Sequence, residues 1–289
     1  MNIKTLLNKT TKFFEKKGIA NPRLDAEVLL ADLLDMERIK LYVNFDYPLK
    51  KNELAEYRKR VVRRAKREAV SYITGHKEFM SLVFKIKKGV LIPRPETELL
   101  VENIIDYCEE NELEAPNIVE VGPGSGAIMV SLGHYLEDAK ILGIDISKKA
   151  VEVSRENIKY HELGDRLTVN RGNLLFPLLK RDTNNVDIVV SNPPYISDED
   201  MENLAPEIKN EPELALKAGK DGLDFYKKLI PQAHSVLKKK GLLALEIGYN
   251  QAAEVKKIIE NEKMYNEIRV LKDYSGKDRM IFCNKKEIK

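Results

Sequence analysis

Apolar residues change their spacing along the chain, and the change separates two kinds of structure. From Ile3 to Val70 they recur three and four positions apart, which predicts helices. Asn21 and Pro22 are placed like a helix cap and a first-turn proline. From Phe79 to Ile92 apolar and polar residues alternate, and a turn is expected at Lys88 and Gly89, which together predict a β-hairpin. The chain therefore begins with a helical region, which a hairpin follows.

After Pro95 the pattern becomes one of apolar strands separated by helices. The predicted strands are Asn117–Val121, Ile141–Ile146, Leu167–Asn170, Val186–Ser191 and Leu242–Ile247. Helices such as Ser147–His161 and Leu223–Lys238 fall between them, and this alternation specifies a parallel sheet covered on both faces. Two further strands, Glu267–Asp273 and Arg279–Cys283, follow each other without a helix, so the last strand is expected to run antiparallel.

These elements predict a fold class and a division into domains. We expect an α/β fold with a seven-stranded, mostly parallel, Rossmann-like sheet over residues 93–289. A small helical domain is expected over residues 1–75, and a β-hairpin linker over residues 76–92. A chain of 289 residues is long enough for one full domain and a smaller one.

Composition adds few constraints. The chain is 43% hydrophobic and 33% charged, which is ordinary for a soluble protein. It contains no apolar run of about 18 residues, and its first residues do not resemble a signal peptide, so we expect a cytoplasmic protein that does not enter a membrane. Cys108 and Cys283 are the two cysteines, and no Cys-x-x-Cys or His-Glu-x-x-His pattern occurs. Neither a disulfide nor a metal site is expected.

Charge is unevenly distributed. Residues 1–85 contain 19 Lys and Arg against 11 Asp and Glu, whereas the remainder contains 30 against 35. Nine basic residues lie between Lys50 and Arg67, and the arginines among them recur at helical spacing: Arg60, Arg63, Arg64 and Arg67. The sequence leaves two interpretations open. The basic residues form a solvated helix face, or they steer an acidic or RNA-bound partner.

A glycine-rich turn follows the first predicted strand of the sheet. The segment IVEVGPGSGAI places a turn between a strand and a helix, and the turn consists of Gly122, Pro123, Gly124, Ser125 and Gly126. Glycines there allow a tight turn and the close approach of a ligand to the backbone. A nicotinamide dinucleotide loop and a turn without a ligand both remain compatible with this segment.

Polar residues near the turn are candidates for contacts with a nucleoside. Asp145 ends the next strand, 19 residues after Gly126, where a carboxylate can accept both hydroxyls of a ribose. Glu120 precedes the turn and is placed either to meet an ammonium group or to cap a helix. Asn173 and Leu174 follow the third strand, where they could contact an adenine or simply form a surface loop.

The segment VDIVVSNPPYI ends a wholly apolar strand at Asn192, Pro193, Pro194 and Tyr195. Ligands of open α/β sheets bind beyond the carboxyl ends of the strands. The Asn192 side-chain oxygen and the Pro193 carbonyl can accept the two hydrogens of a planar amino group, and the Tyr195 ring can lie on its flat face. The prolines hold the corner rigid. We predict that these four residues bind the nitrogen of a planar amino group and position it to accept a methyl group.

With this corner, the chain resembles the HemK/PrmC family of release factor glutamine methyltransferases over essentially its full length. Other similar segments are Ile92–Glu98, Glu211–Leu216, Asp221–Leu223 with Tyr226, and Leu245–Gln251. The resemblance implies a class I methyltransferase fold, S-adenosylmethionine as donor, S-adenosylhomocysteine as product, and the glutamine of a release factor Gly-Gly-Gln motif as acceptor. It assigns the corner to the glutamine amide and the glycine turn and Asp145 to the donor.

One departure from the family pattern is Asn173-Leu174, where many members have Asp and an aromatic residue. The alternatives are a methyltransferase acting on a ribosomal protein glutamine, one acting on an exocyclic amino group of a nucleic-acid base, and an oxidoreductase or silent binding module. We further expect a monomer that needs no metal or nucleic acid, with the helical domain docking the release factor.

Overall fold

The computed structural model describes residues 1–287, which divide into two compact units. Unit 1 contains Met1–His76 and the short segment Ala205–Asn210. Unit 2 contains Lys77–Leu204 and the chain from Glu211 onward. The last two positions of the predicted 93–289 domain lie outside the described residues. The segment 205–210 joins unit 1 although it is far along the sequence, which the sequence pattern does not reveal.

Unit 1 is helical, as predicted. Its helices are α1 (Ile3–Lys16), α2 (Pro22–Leu33), α3 (Arg38–Val43), α4 (Lys51–Ala65) and α5 (Val70–Thr74). Pro22 begins α2, but the Asn21 side chain makes no capping hydrogen bond; it is the Asn2 side chain, at α1, that accepts from a backbone N–H. The fully buried side chains include Phe14 and Tyr57, and the Tyr57 hydroxyl donates to the Ala26 carbonyl at 2.9 Å.

The four arginines that recur along α4 and just beyond it form ion pairs inside unit 1. The pairs are Arg60 with Asp32, Arg63 with Glu68, Arg64 with Asp25 and Glu207, and Arg67 with Glu207. Arg64 is only 6% exposed, so it is a structural residue and not part of a solvated face. Glu207 explains why the segment 205–210 belongs to unit 1, because its carboxylate joins two of these guanidinium groups.

The hairpin is formed by β1 (His76–Phe79) and β2 (Leu82–Lys85). Its turn lies at Met80 and Ser81, which have φ values of 50° and 58°. The turn expected at Lys88-Gly89 exists, but it follows β2 and does not join the two strands. The hairpin was misplaced because two non-glycine residues adopt the left-handed conformation that hairpin turns require.

Unit 2 contains six α-helices among the described residues and a large mixed sheet. The helices are α6 (Glu98–Glu110), α7 (Ala127–Tyr135), α8 (Lys148–Tyr160), α9 (Phe176–Leu179), α10 (Asp224–Val236) and α11 (Ala252–Glu262). The strands are β3 (Asn117–Val121), β4 (Lys140–Asp145), β5 (Leu167–Arg171), β6 (Val186–Ser191), β7 (Leu237–Glu246), β8 (Tyr265–Lys272) and β9 (Asp278–Lys285). Within residues 1–287, no helix has the length and apolarity needed to span a bilayer.

The large sheet confirms the predicted fold class. Among the described residues it has seven strands in the order β5-β4-β3-β6-β7-β9-β8. The pairs from β5 to β7 are parallel, and β9 runs antiparallel to both β7 and β8, as expected for the last strand. All six residues of β6 are buried, because a central strand of a parallel sheet is covered on both faces.

The strand order reverses between β3 and β6, and this reversal determines where a ligand can bind. From β3 the chain adds β4 and β5 on one side, and it then returns to place β6 on the other. Connections that leave in opposite directions open a crevice at the carboxyl ends of the two strands. The Ser191 hydroxyl donates to the Val121 carbonyl at 2.7 Å and ties these two ends together.

Candidate active site

The glycine turn between β3 and α7 adopts a backbone conformation that glycine allows. Gly122 has a φ of 75°, yet a β-carbon added there would meet nothing within 4 Å. Glycine is therefore required by the backbone angle, and the space beside it stays open. At Gly126, with a φ of 81°, a β-carbon would also come within 3.3 Å of Ser154. The turn is thus closed on the side of α8 and open on the side of the sheet edge.

Glu120 is buried directly below the turn. It is 1% exposed, and its Oε2 accepts a hydrogen bond from the backbone N–H of Met129 at 2.9 Å. Burial raises the pKa of this carboxyl to about 8, although the Met129 N–H partly opposes the shift. Glu120 therefore caps the first turn of α7, as one of the two sequence interpretations expected, and it also lines the cleft described below. Its contact with an ammonium group stays a prediction. A cation beside it would restore its charge.

Asp145 ends β4 and is oriented by backbone groups. Its Oδ2 accepts from Gly124 N–H at 3.1 Å, and its Oδ1 accepts from Ser147 N–H at 2.8 Å. Burial raises the pKa of Asp145, while these two hydrogen bonds act in the opposite direction. Each carboxylate oxygen has a further lone pair, so the group remains able to accept ligand hydroxyls. The fixed orientation suits a pair of neighbouring hydroxyl groups.

An apolar slot lies next to Asp145. Leu174 is 7% exposed and contributes to the core of unit 2, whereas Asn173 is exposed. Ile146 and Phe225 line the same cleft and were not predicted. Ile146 could have been found from its position directly after Asp145. Phe225 could not, because it comes from α10, and only the folded structure brings it to this edge of the sheet.

Asn192, Pro193 and Pro194 follow β6 and line the cleft opposite the glycine turn. The Asn192 Nδ2 donates to the Thr97 hydroxyl oxygen at 3.1 Å, and the Thr97 hydroxyl donates to Glu246 Oε2 at 2.6 Å. Because the NH2 end of the Asn192 amide faces Thr97, its Oδ1 end points the other way. Burial raises the pKa of Glu246 to about 7. Neither Thr97 nor Glu246 was predicted as a site residue.

Tyr195 and Gly126 were predicted as site residues, but neither lines the cleft. The Tyr195 ring packs against the hydrophobic core of unit 2, and its burial raises the pKa of the phenol to about 12. Its backbone carbonyl accepts from Gln251 Nε2 at 2.9 Å. A β-carbon on Gly222 would come within 2.5 Å of that carbonyl oxygen, so a glycine is needed there for the close approach. The predicted contact of the Tyr195 ring with an acceptor stays a prediction.

Arg94 lies at the rim of the cleft. Its guanidinium donates to Glu211 Oε1 at 2.5 Å, and the Ile92 backbone N–H donates to Glu211 Oε2 at 3.1 Å. Pro212 and Leu214, which follow Glu211, line the cleft. Arg94 therefore fixes one wall of the cleft through Glu211.

Eleven of the thirteen predicted site residues meet in a single cleft. They are Glu120, Gly122, Pro123, Gly124, Ser125, Asp145, Asn173, Leu174, Asn192, Pro193 and Pro194. The cleft encloses about 1110 Å³ of space free of atoms, a volume that includes open solvent. The buried Glu120 carboxyl beside the turn favours a cation and disfavours a pyrophosphate. This chemistry fits S-adenosylmethionine and argues against a dinucleotide.

The fold and the cleft define a Rossmann-like methyltransferase. The family model described as a methyltransferase domain matches residues 113–286, and the model described as the PrmC N-terminal domain matches residues 5–75. Together they cover parts of both units. The chain belongs to the release factor glutamine methyltransferase family, because both models match and because relatives with that name are similar over nearly their whole length.

Three relatives named release factor glutamine methyltransferase show the extent of the similarity. The Fusobacterium nucleatum protein is 41% identical over 97% of this chain and 78% of its own length. The Clostridium acetobutylicum protein is 39% identical over 98% of each chain. The Moorella thermoacetica protein is 38% identical over 99% of this chain and 100% of its own. The matched regions therefore include both units.

Among solved structures, the catalytic domain of hMettl16 in complex with a MAT2A 3'UTR hairpin has a similar fold. It matches with a TM-score of 0.57 and covers 83% of each chain. Its sequence identity is 16%. At that identity the likeness extends to the fold alone, and it supports the class I methyltransferase architecture.

Proposed function

We propose that this chain transfers the methyl group of S-adenosylmethionine to the side-chain amide nitrogen of the glutamine in the Gly-Gly-Gln motif of peptide chain release factors, and leaves S-adenosylhomocysteine. The family membership supports the reaction and its acceptor. The observation that carries the proposal is the orientation of Asn192, whose Nδ2 is bound to Thr97 while Oδ1 is directed elsewhere. An amide oxygen held in this way can accept an N–H of a planar acceptor.

The residues of the cleft suit the donor at three places. Asp145 would accept the ribose hydroxyls, Glu120 would face the ammonium group of the methionine part, and Leu174 would lie against the adenine. We also assign Asn173 to the adenine amino group, and the backbone of the glycine turn to the methionine part. When bound, S-adenosylmethionine supplies a strongly electrophilic methyl group.

The corner formed by Asn192–Tyr195 would position the acceptor for the reaction. An amide nitrogen is a poor nucleophile because its lone pair is delocalised. Asn192 Oδ1 and the Pro193 carbonyl would hold the two N–H hydrogens, so that the lone pair is directed at the methyl group. The rings of Pro193 and Pro194 fix two φ angles and keep this geometry rigid. Orientation of this kind can contribute up to roughly 7–11 kcal/mol of the barrier. The proton lost from the nitrogen passes to water.

We assign Tyr195 to the same acceptor site because it follows Pro194 directly. Its ring packs on the core of unit 2 here, so contact with the glutamine amide requires the side chain to rotate. Tyr195→Ala should then raise the KM for the acceptor, whereas Tyr195→Phe, which keeps the ring, should not. If Tyr195→Ala and Tyr195→Phe change the KM for the acceptor equally, the Tyr195 ring does not contact the acceptor.

The decisive experiment locates the transferred methyl group. The protein is incubated with isotopically labelled S-adenosylmethionine and, separately, with a purified release factor, a ribosomal protein pool and DNA, and the label is located by mass spectrometry. We expect the label on the Gly-Gly-Gln glutamine. We also propose that the protein acts in the cytoplasm. Label on a ribosomal protein glutamine or on a base, with none on the release factor, would overturn the assignment. Activity should survive a chelator and nuclease, and the enzyme should have the mass of a monomer.

We further propose that residues 1–75 form the domain that docks the release factor and that residues 76–92 act as its linker to the catalytic domain, residues 93–289. Support comes from exposed apolar side chains in and after α3, where Ile39 is 65% and Val43 82% exposed. Val43→Glu should raise the KM for intact release factor but not for a short Gly-Gly-Gln peptide. Val62→Glu, at an exposed valine of α4, is the matched control. An unchanged KM for intact release factor in Val43→Glu would exclude the exposed face of α3 as the docking surface.

A further inference from the structure

Two hydrogen bonds, one partly and one fully buried, connect Asn192 through Thr97 to Glu246 at the end of β7. We call these three residues the Asn192–Thr97–Glu246 network. Asn192 Nδ2 donates to Thr97 Oγ1 at 3.1 Å, and Thr97 Oγ1 donates to Glu246 Oε2 at 2.6 Å. Thr97 is 4% exposed and Glu246 is 1% exposed. Water therefore cannot readily replace either partner, and each group must point where its neighbour requires.

The single hydrogen of a hydroxyl group makes this network directional. An ionised Glu246 can only accept, so the Thr97 hydrogen points toward it. The Thr97 oxygen then accepts from Asn192, which must present its NH2 end. A protonated Glu246 can instead donate to Thr97, whose hydrogen is then free to point at Asn192. That arrangement favours a flipped amide, with the oxygen of Asn192 facing Thr97 and its NH2 facing the cleft.

We propose that Thr97 and Glu246 are positioning residues that set the polarity of the Asn192 amide, so that its oxygen and not its NH2 group faces the acceptor nitrogen. The inference rests on the proposed function and names the groups that orient its central residue. Thr97 precedes α6 and Glu246 ends β7, so the network joins two segments outside the glycine turn and the Asn192–Tyr195 corner. Both residues act through Asn192.

The surroundings of Glu246 place its titration near neutrality. Burial raises the pKa of this carboxyl to about 7, against the opposing effect of the Thr97 hydrogen bond. The charged and titratable groups that face it are Arg279, Arg94, Glu96, Tyr195 and Tyr226. The two arginines lower its pKa and Glu96 raises it. Because the ionised form orients Asn192 correctly, kcat should fall as the pH falls through about 7.

The first test removes the hydroxyl without changing the shape of the side chain. Thr97→Val should lower kcat at saturating donor and acceptor by about tenfold or more, because the amide of Asn192 loses its orienting partner. Thr97→Ser keeps the hydroxyl and should restore most of the loss. Ser131→Ala is the matched control, since Ser131 is a buried hydroxyl of α7 that makes no hydrogen bond within the described residues. A kcat for Thr97→Val equal to that of wild type would overturn the proposal.

The second test removes the titration. Glu246→Gln keeps an acceptor oxygen but cannot ionise, so the decline of kcat below about pH 7 should disappear. The raised pKa means that ionised Glu246 costs stability at high pH and that this cost vanishes at low pH. Glu246→Gln should therefore raise the Tm at pH 8.5 relative to wild type, and this advantage should shrink toward pH 5. A merely structural Glu246 predicts the opposite, a lower Tm with an unchanged pH profile, and that outcome would refute the positioning role.

The orientation of the Asn192 amide can also be followed directly by NMR, without an acceptor. In protein with ¹⁵N-labelled asparagine, the Asn192 side-chain NH2 signals, assigned by their loss in Asn192→Ala, should shift with a midpoint near pH 7. The shift should be absent in Glu246→Gln and retained in Glu120→Gln, a control in which a different buried carboxyl with a raised pKa is removed. If the shift is present but release factors are not methylated, the proposed function fails and the positioning role stands. If release factors are methylated but no shift occurs, the positioning role fails alone.

Discussion

Asn192→Ala separates the positioning of the acceptor from the binding of the donor. The exchange removes the oxygen proposed to hold the acceptor nitrogen, and it removes the NH2 group that donates to Thr97 at 3.1 Å. Loss of one preorganised hydrogen-bonding group in an active site costs roughly 10²–10³ in kcat, or about 3–4 kcal/mol. The hydroxyl oxygen of Thr97, a residue that is 4% exposed, also loses its donor, which should cost about 1–3 kcal/mol of stability.

Single-turnover rates with labelled donor and calorimetric titration of the donor measure the two effects separately. We expect the single-turnover rate to fall by roughly 10²–10³. The donor Kd should change by less than about threefold, which corresponds to the free energy of one weak hydrogen bond. Asn173→Ala, at the opposite end of the cleft, should do the reverse and weaken donor binding by about fivefold. A single-turnover rate for Asn192→Ala close to that of wild type would refute the acceptor geometry.

Three further predictions concern charged groups. Arg64→Ala should destabilise the protein by about 3–5 kcal/mol in urea unfolding, because it leaves the buried carboxylate of Asp25 unpaired. Arg63→Ala, in a pair that is 44% and 25% exposed, should cost less than about 1 kcal/mol. Similar losses would contradict the ion-pair assignment. Asp145→Ala should raise the donor Kd by about 10- to 100-fold, and an unchanged Kd would exclude a ribose contact. Burial raises the pKa of Glu120 to about 8, so the stability of the free protein should fall as the pH rises from about 4.5 toward 8, by up to about 1.4 kcal/mol per pH unit. Glu120→Gln should make the stability less dependent on pH over this range. An equal pH dependence in Glu120→Gln and wild type would contradict the raised pKa.

The side of the cleft formed by the glycine turn and Asp145 could be predicted from sequence because its determinants are local. Each lies at the end of a strand that the apolar pattern identifies, and each carries a residue type with a clear chemical purpose. Gly122 and Asp145 are examples, since the left-handed φ of one and the terminal position of the other follow from a strand and the turn after it. Strand order then brings the two together without further information.

The side of the cleft formed by Asn192 depends on long-range contacts that no local pattern contains. Thr97 and Glu246 are 149 positions apart, yet they share a hydrogen bond. Segments around both residues resemble family signatures, so the resemblance indicated that they matter but not what they do. Phe225 is a similar case, because a phenylalanine in an amphipathic helix reads as a core residue until the fold brings it to the cleft.

The treatment of buried acidic residues links the fold to the function. Eight Asp and Glu residues are buried among those that the structure describes. Five have a Lys or Arg partner: Asp25, Glu27, Asp187, Glu211 and Asp273. The other three, Glu120, Asp145 and Glu246, form no ion pair within residues 1–287, and burial raises the pKa of all three.

A buried carboxylate without a cation is costly, so a fold that pairs such groups elsewhere has a reason to leave these unpaired. Glu120 and Asp145 lie in the cleft, where a cationic ligand with ribose hydroxyls would satisfy them. Glu246 accepts from Thr97 and so orients Asn192. The unpaired acids thus coincide with the two ends of the proposed reaction. A protein that only bound a nucleoside would need the first two, and it would have no use for the third.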